Sequence, residues 1–129
     1  ILLNSSGRVS ESSGACLMMV RDGVLITPPL SSGILESITR DTLISLAADL
    51  DLPFLERPID RTELYISDEV FLCGSSAELT PLGRIDRFVI GDGNPGPLTK
   101  LLSERYFASA DGTYPNLSHW RTPVWPEAF

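Results

Sequence analysis

The stretch "ACLMMVRDGVLITPPLSSGILESITRDTLISLAADL", from Ala15 to Leu50, holds two strand-like runs, a turn, a loop and a helix in that order. Apolar runs over Ala15 to Val20 and Val24 to Ile26 flank "RDG", a tight-turn signal between paired strands. Pro28 and Pro29 then stop the second strand, because proline cannot donate to the ladder. From Ile38 to Leu50 the apolar positions Leu43, Ile44, Leu46, Ala47 and Leu50 recur at helical spacing. Thr39 is placed to cap that helix, and Leu52-Pro53 to end it. The loop "LSSGILES" between hairpin and helix is the segment whose purpose the pattern alone leaves open: a simple connection, or a helix amino end that holds an anion.

Outward from this frame, "PFLERPI" reads as a short strand and "DRTELYISD" as a helical turn. "EVFLCGSSAELTPLGRI" reads as a strand, a polar turn and a second strand. "DRFVIGDGNPGPLTKLLSERYFAS" closes with a strand, a glycine-proline loop and a helix whose first turn holds Pro97. The aromatic, proline-rich tail from Asp111 reads as an irregular strap. Interleaved strands and helices without an internal repeat indicate one mixed α/β domain over residues 1–129.

The totals agree with one globular domain: 129 residues, 43% hydrophobic and 21% charged. A net charge of -7, with Lys100 as the only lysine, disfavours nucleic acid and anionic membranes, which reward clustered Lys and Arg. No apolar run reaches the ~18 residues of a membrane span, and "ILLNSSGRVSES" lacks the character of a signal peptide, so a cytoplasmic protein is expected. The first residue is Ile1, and "ILLN" reads like the middle of a strand, so the chain is expected to continue upstream. Cys16 and Cys73 are too few and too far apart for a disulfide framework, and both are expected as free buried thiols.

Several candidate motifs fail on context. Gly91, Gly93 and Gly96 match GxGxxG between a strand and a helix, but Pro95 and Pro97 remove amide donors that a pyrophosphate would use. No acidic strand end follows at the expected distance. His119, the only histidine, has no Cys or carboxylate cluster at ligand spacing, so no metal site is expected. The serine-rich "SESSG" has no base in motif reach.

Three polar loops remain: "SESSG" before the hairpin, "SGILESIT" at the helix start and "CGSSAELTP" between two strands. Together with "GRVSESSG", "DGVLITPPLSSGILESITRD", "ERPIDRTELYISDEVFLCGSSAELTP" and "IGDGNPGPLTK", they span Gly7 to Lys100 nearly without gaps. The tail "HWRTPVW" adds to the pattern. In these motifs the chain resembles the carboxyl-terminal part of the branched-chain amino acid aminotransferases, fold-type IV enzymes that use pyridoxal 5'-phosphate (PLP). D-amino acid aminotransferases and aminodeoxychorismate lyases share parts of the motifs, but "PPLSSGIL" and "DRTELYISDEVF" favour the branched-chain group.

The resemblance implies a mixed sheet or pseudo-barrel flanked by helices, and roles for particular residues. Glu11 matches the carboxylate that pairs with the pyridine nitrogen, where an anion keeps the ring protonated. Leu35, Ser37, Ile38 and Thr39 match the phosphate-binding stretch at a helix amino end. Gly74, Ser75 and Ser76 match a turn whose amides hold the phosphate or a substrate carboxylate, with Ser75 expected on both and Ser76 on the substrate. Two departures stand out: Ser37 replaces the usual glycine, and Ala15-Cys16 replaces Glu-Asn, so hydrogen bonds from those side chains are expected to be lost. The lysine that carries the cofactor lies upstream in the family. Lys100, in the last helix, is expected on a solvated face.

The resemblance thus implies amino transfer between Leu, Ile or Val and 2-oxoglutarate by a homodimer, with this chain alone inactive. A lysine-free binding or structural protein of the same fold is the alternative from another class.

Overall fold

The computed structural model describes residues 1–122, 124 and 125. Strands β1 (Cys16–Arg21) and β2 (Val24–Thr27) form the expected hairpin, with Arg21 opposite Val24. Asp22 and Gly23 both have positive φ, 52° and 75°, as a two-residue turn between right-twisted strands requires. The non-glycine position is supported from outside the turn, because the Asp22 amide donates to Asp68 Oδ2 at 2.8 Å.

Helix α1 (Ile38–Asp49) follows, then β3 (Phe54–Glu56), a 3-10 turn over Arg61–Ile66, β4 (Glu69–Gly74) and β5 (Glu78–Pro81). The five strands form one sheet in the order β3-β2-β1-β4-β5. Only β2 and β3 run parallel, so the sheet is mixed. The second strand expected through "AELTPLGRI" is broken. Pro81 ends β5, and residues beyond it form a separate ribbon of β6 (Arg84–Ile85) and β7 (Phe88–Val89). Gly83 makes the break, since a β-carbon there would collide with the Gly93 carbonyl.

β1 is buried on both faces, which explains why its sequence is continuously apolar instead of alternating. Cys16, Met18 and Val20 face α1 and α2 (Pro97–Asp111), packing with Leu43, Leu46, Ala47 and Leu102. Leu17 and Met19 face the other way, onto Val9, Ile26, Ile59, Leu64, Val70 and Ile90. α2 runs to Asp111, where the strap was expected to start, and a 3-10 turn follows over Pro115–Trp120. Tyr114 and Asn116 both hydrogen-bond Asp49 at the end of α1, and Leu117 is buried, which docks the turn. The strap expectation for residues 123 and 126–129 lies outside the described residues.

The start of α2 has a dedicated acid. Glu69, buried in β4, accepts the amides of Leu98 at 3.0 Å and Thr99 at 2.7 Å, and the Thr99 hydroxyl at 2.6 Å. A β-carbon at Gly96 would overlap that carboxyl group, so glycine is required there. Glu69→Ala is expected to lower unfolding stability by about 2–4 kcal/mol, because it strands two buried donors and a half-buried one. Urea denaturation checks this, and a loss near zero would contradict the role.

Candidate functional site

Because β1 and β4 are antiparallel with Cys16 opposite Cys73, the start of one strand and the end of the other lie together. The helix start supplies a third side. Residues 11–16, 35–38 and 73–76 line one open cleft of about 440 Å³.

Glu11 reaches this cleft on a segment tied down by backbone bonds. Its carbonyl accepts from Leu2 at 2.7 Å, and both the amide and hydroxyl of Ser12 donate to Ala15 O at 2.9 Å. Ser10 Oγ links the segment to the helix-side loop by donating to Gly33 O at 3.1 Å. Glu11 Oε2 accepts the Leu35 amide at 3.1 Å, and the Cys16 thiol donates to the same oxygen at 3.7 Å. Nothing among the described residues bonds Oε1. At the departure from Glu-Asn, the thiol of Cys16 is long enough to reach the Glu11 carboxylate.

At the helix start, the structure makes Ser37 the cap. Its backbone is extended, with φ -99° and ψ 128°, and its Oγ accepts the Arg40 amide at 3.2 Å. Any side chain adopts that conformation, so serine in place of glycine is accommodated without strain. The expected cap at Thr39 is overturned because the helix already begins at Ile38, which places Thr39 within the first turn. Thr39 is buried and is absent from the cleft lining. Asp41 donates to Ser37 O, but no acceptor among the described residues meets the amides of Ile38 and Thr39. Leu35 and Ile38 are exposed at the rim, 70% and 85%.

The opposite wall is the turn between β4 and β5. Ser75 and Ser76 are exposed, and their amides also lack an acceptor among the described residues. Gly74 brings this turn against the first loop: a β-carbon there would lie 3.3 Å from Gly14 O and 3.4 Å from Ala15 Cα. Seven of the eight residues that the resemblance singles out, Glu11, Leu35, Ser37, Ile38, Gly74, Ser75 and Ser76, thus line the same cleft.

The lining contains the acids Glu11 and Glu36 and no cationic side chain. Lys100 lies exposed on α2, outside the cleft. Cys16 and Cys73 form the floor, and both are free and buried. Burial pushes the Cys16 thiol up, against a hydrogen bond from Ser37, while the charge of Glu11 adds to the rise. Cys73 is pushed up to about 12, chiefly by burial, with Cys16 adding.

The mixed sheet thus carries a helix start with free amides and an acid across the cleft. Residues 1–85 match the amino-transferase class IV family, and the chain belongs to it. Within that class its relatives are branched-chain aminotransferases. The chain is 47% identical over 126 residues to the probable branched-chain-amino-acid aminotransferase of Aquifex aeolicus (strain VF5), covering 97% of this chain and 40% of the relative. The branched-chain amino acid aminotransferase of Thermobaculum terrenum in its PLP form superposes with a TM-score of 0.93 at 49% identity, over 97% of this chain and 41% of that one. The enzyme of Thermoproteus uzoniensis with norvaline gives 0.92 at 47% identity, over 97% and 41%. The chain therefore spans about 40% of the length of the curated relatives it matches. Among the described residues, no helix is long and apolar enough to cross a membrane.

The thiols give a pH signature. Between the ordinary value of 9.0 and about 12, the unfolded chain has released the Cys73 proton while the folded chain keeps it. The contribution is whole below that window, and stability falls as pH rises through it. Cys73→Ala is expected to flatten this alkaline fall in denaturation midpoints. An identical pH profile in the variant would contradict the shift.

Proposed function

We propose that the polypeptide containing this chain transfers amino groups between Leu, Ile or Val and 2-oxoglutarate, with PLP as cofactor. One observation carries the reading: unclaimed amides from two separate turns and a fixed carboxylate converge on the same cleft.

The residues present fit the non-covalent needs of PLP. The amides of Ile38 and Thr39, at the positive end of α1, suit a phosphate, with Ser37 shaping the turn. Ser75 faces them across the cleft, where its amide serves the phosphate or, with Ser76, a substrate carboxylate. Glu11 has one oxygen occupied by Leu35 and Cys16, which leaves Oε1 for the pyridine nitrogen. The exposed side chains of Leu35 and Ile38 offer apolar surface to a ring. Thr39 contributes through its amide, because its side chain is buried. When bound, PLP supplies an electron sink for the substrate's α-carbon.

The covalent partner must come from elsewhere, since the chain's only lysine is Lys100 on α2. This chain by itself is therefore inert in our reading, and the remaining length seen in its relatives supplies the lysine. The family resemblance also supports a cytoplasmic homodimer acting on amino acids and 2-oxo acids.

In the complete polypeptide, Glu11→Gln is expected to lower the turnover of L-leucine with 2-oxoglutarate more than about tenfold, on the scale of one charge-assisted bond. PLP affinity, measured by absorbance titration, is expected to fall far less. Unchanged turnover would overturn the role of Glu11, and turnover of D-alanine in place of L-leucine would overturn the substrate class.

A further inference from the structure

Two nucleophilic side chains in the cleft have no part in the proposed function. Cys16 opens β1 and Cys73 is the last residue but one of β4, and the register sets them directly opposite each other. Residues so paired have α-carbons about 4.5–5.5 Å apart, within the roughly 4.4–6.8 Å that a disulfide spans. Their side chains leave the sheet on the same face, since both pack in the cluster beneath α1 and α2. Both thiols are free, and both residues line the cleft floor. The pair sits at the end of the ladder, followed by Gly74 and the serine turn, so the strand ends can draw together without shifting the rest of the sheet.

We propose that Cys16 and Cys73 are a redox pair whose reversible disulfide takes the Cys16 hydrogen bond away from Glu11 and lowers turnover. The part played by Glu11 rests on the cofactor reading above. As a thiol, Cys16 shares its one proton between Glu11 Oε2 at 3.7 Å and Leu35 O at 3.6 Å. A disulfide sulfur has no proton to give, and bonding to Cys73 draws it toward β4. Glu11 then keeps the Leu35 amide as its remaining partner among the described residues. Burial holds both thiols protonated, which suits a pair that stays reduced until an oxidant enters the cleft. Opposed β-carbons start about 4.5–5.5 Å apart and a disulfide holds them at roughly 3.5–4.5 Å, so the bond forms under strain and is readily reduced.

Hydrogen peroxide supplies the oxidant. The Cys16 sulfur attacks one peroxide oxygen, the O–O bond breaks, and water leaves as a sulfenic acid forms. The Cys73 sulfur then attacks the Cys16 sulfur and expels a second water, so the two thiols lose two electrons and one S–S bond replaces two S–H bonds. In the experiment the complete polypeptide, freed of PLP, is treated with hydrogen peroxide, digested without reductant and mapped by mass spectrometry. Its turnover after PLP is restored is compared with that of its own untreated sample. A peptide linking residues 16 and 73 is expected, with turnover lowered about three- to tenfold, one hydrogen bond's worth. Dithiothreitol is expected to remove the link and bring the turnover back. In Cys73→Ala no link can form, and the loss is expected to persist after dithiothreitol, because Cys16 oxidises past the sulfenic stage.

A treated parent without that link, or with the link and unchanged turnover, would overturn the proposal, and neither result needs the variant to fold. The cofactor reading is tested separately by repeating the treatment with PLP bound, since a cofactor seated over the floor is expected to slow the link. A link that forms equally fast with PLP bound would overturn that seat and leave the redox pair standing. A link that never forms, while PLP still shields Cys16 from iodoacetamide, would overturn the pair and leave the seat standing.

Discussion

Strand β1 is paired on both edges and buried on both faces, and the position of the cleft follows from that constraint. A strand with one buried face has its register set by alternation, since a slip of one residue turns apolar side chains to water. β1 has no such protection, because "CLMMV" is apolar at every position. The Asp22-Gly23 turn sets its register against β2, and Asp68 holds that turn from the start of β4. The pairing of Cys16 with Cys73 then fixes how far Gly74 projects toward Gly14 and Ala15. A slip of one residue on β4 would pull the serine turn away from Glu11.

The two helix starts show how the same backbone feature serves different ends. Each exposes amides that favour a negative group. At α2 the group is built in: Glu69 takes Leu98 and Thr99, and glycine at 96 leaves it room. The helix start behind the GxGxxG pattern over Gly91, Gly93 and Gly96 is thus already occupied by the protein's own carboxylate. At α1 the cap is a neutral serine that satisfies a single amide, and Ile38 and Thr39 are left over. An unfilled helix start facing a cleft is the arrangement expected of a ligand site rather than of a structural joint.

Much of the frame was legible in the sequence because it depends on local rules. The "RDG" hairpin, the helix from Ile38 and the Pro97 start of α2 all follow from turn chemistry and periodicity, and the structure places them there. What was not legible depends on contacts distant in sequence. The break after Pro81 comes from the approach of Gly93 to Gly83, about which neither segment carries a local signal. Thr39 was favoured as the cap because threonine commonly caps, yet the helix starts at Ile38, and Ser37 has the extended backbone a cap needs. Arg40 carries no local signal of its partner in "ITRDT", and its ion pair forms only where β3 brings Glu56 to it. Glu11 is a different case. Its loop has no physical signature of function in the sequence, and the family resemblance alone singled it out.

Under the proposed function, the division of labour between this chain and the missing lysine has a chemical rationale. PLP would supply the electron sink and carry the amino group, and the residues of this chain would hold it by non-covalent contacts alone. The groups suited to that task are the ones in this cleft: amides at a helix start and a turn for the phosphate, and a carboxylate for the ring nitrogen. None of them changes its covalent bonding during the reaction, so they are best placed on the most rigid frame available. The doubly buried β1 and its neighbour β4 provide it, and the residues that present the grip lie at the ends of these two strands and at the start of the helix packed on them.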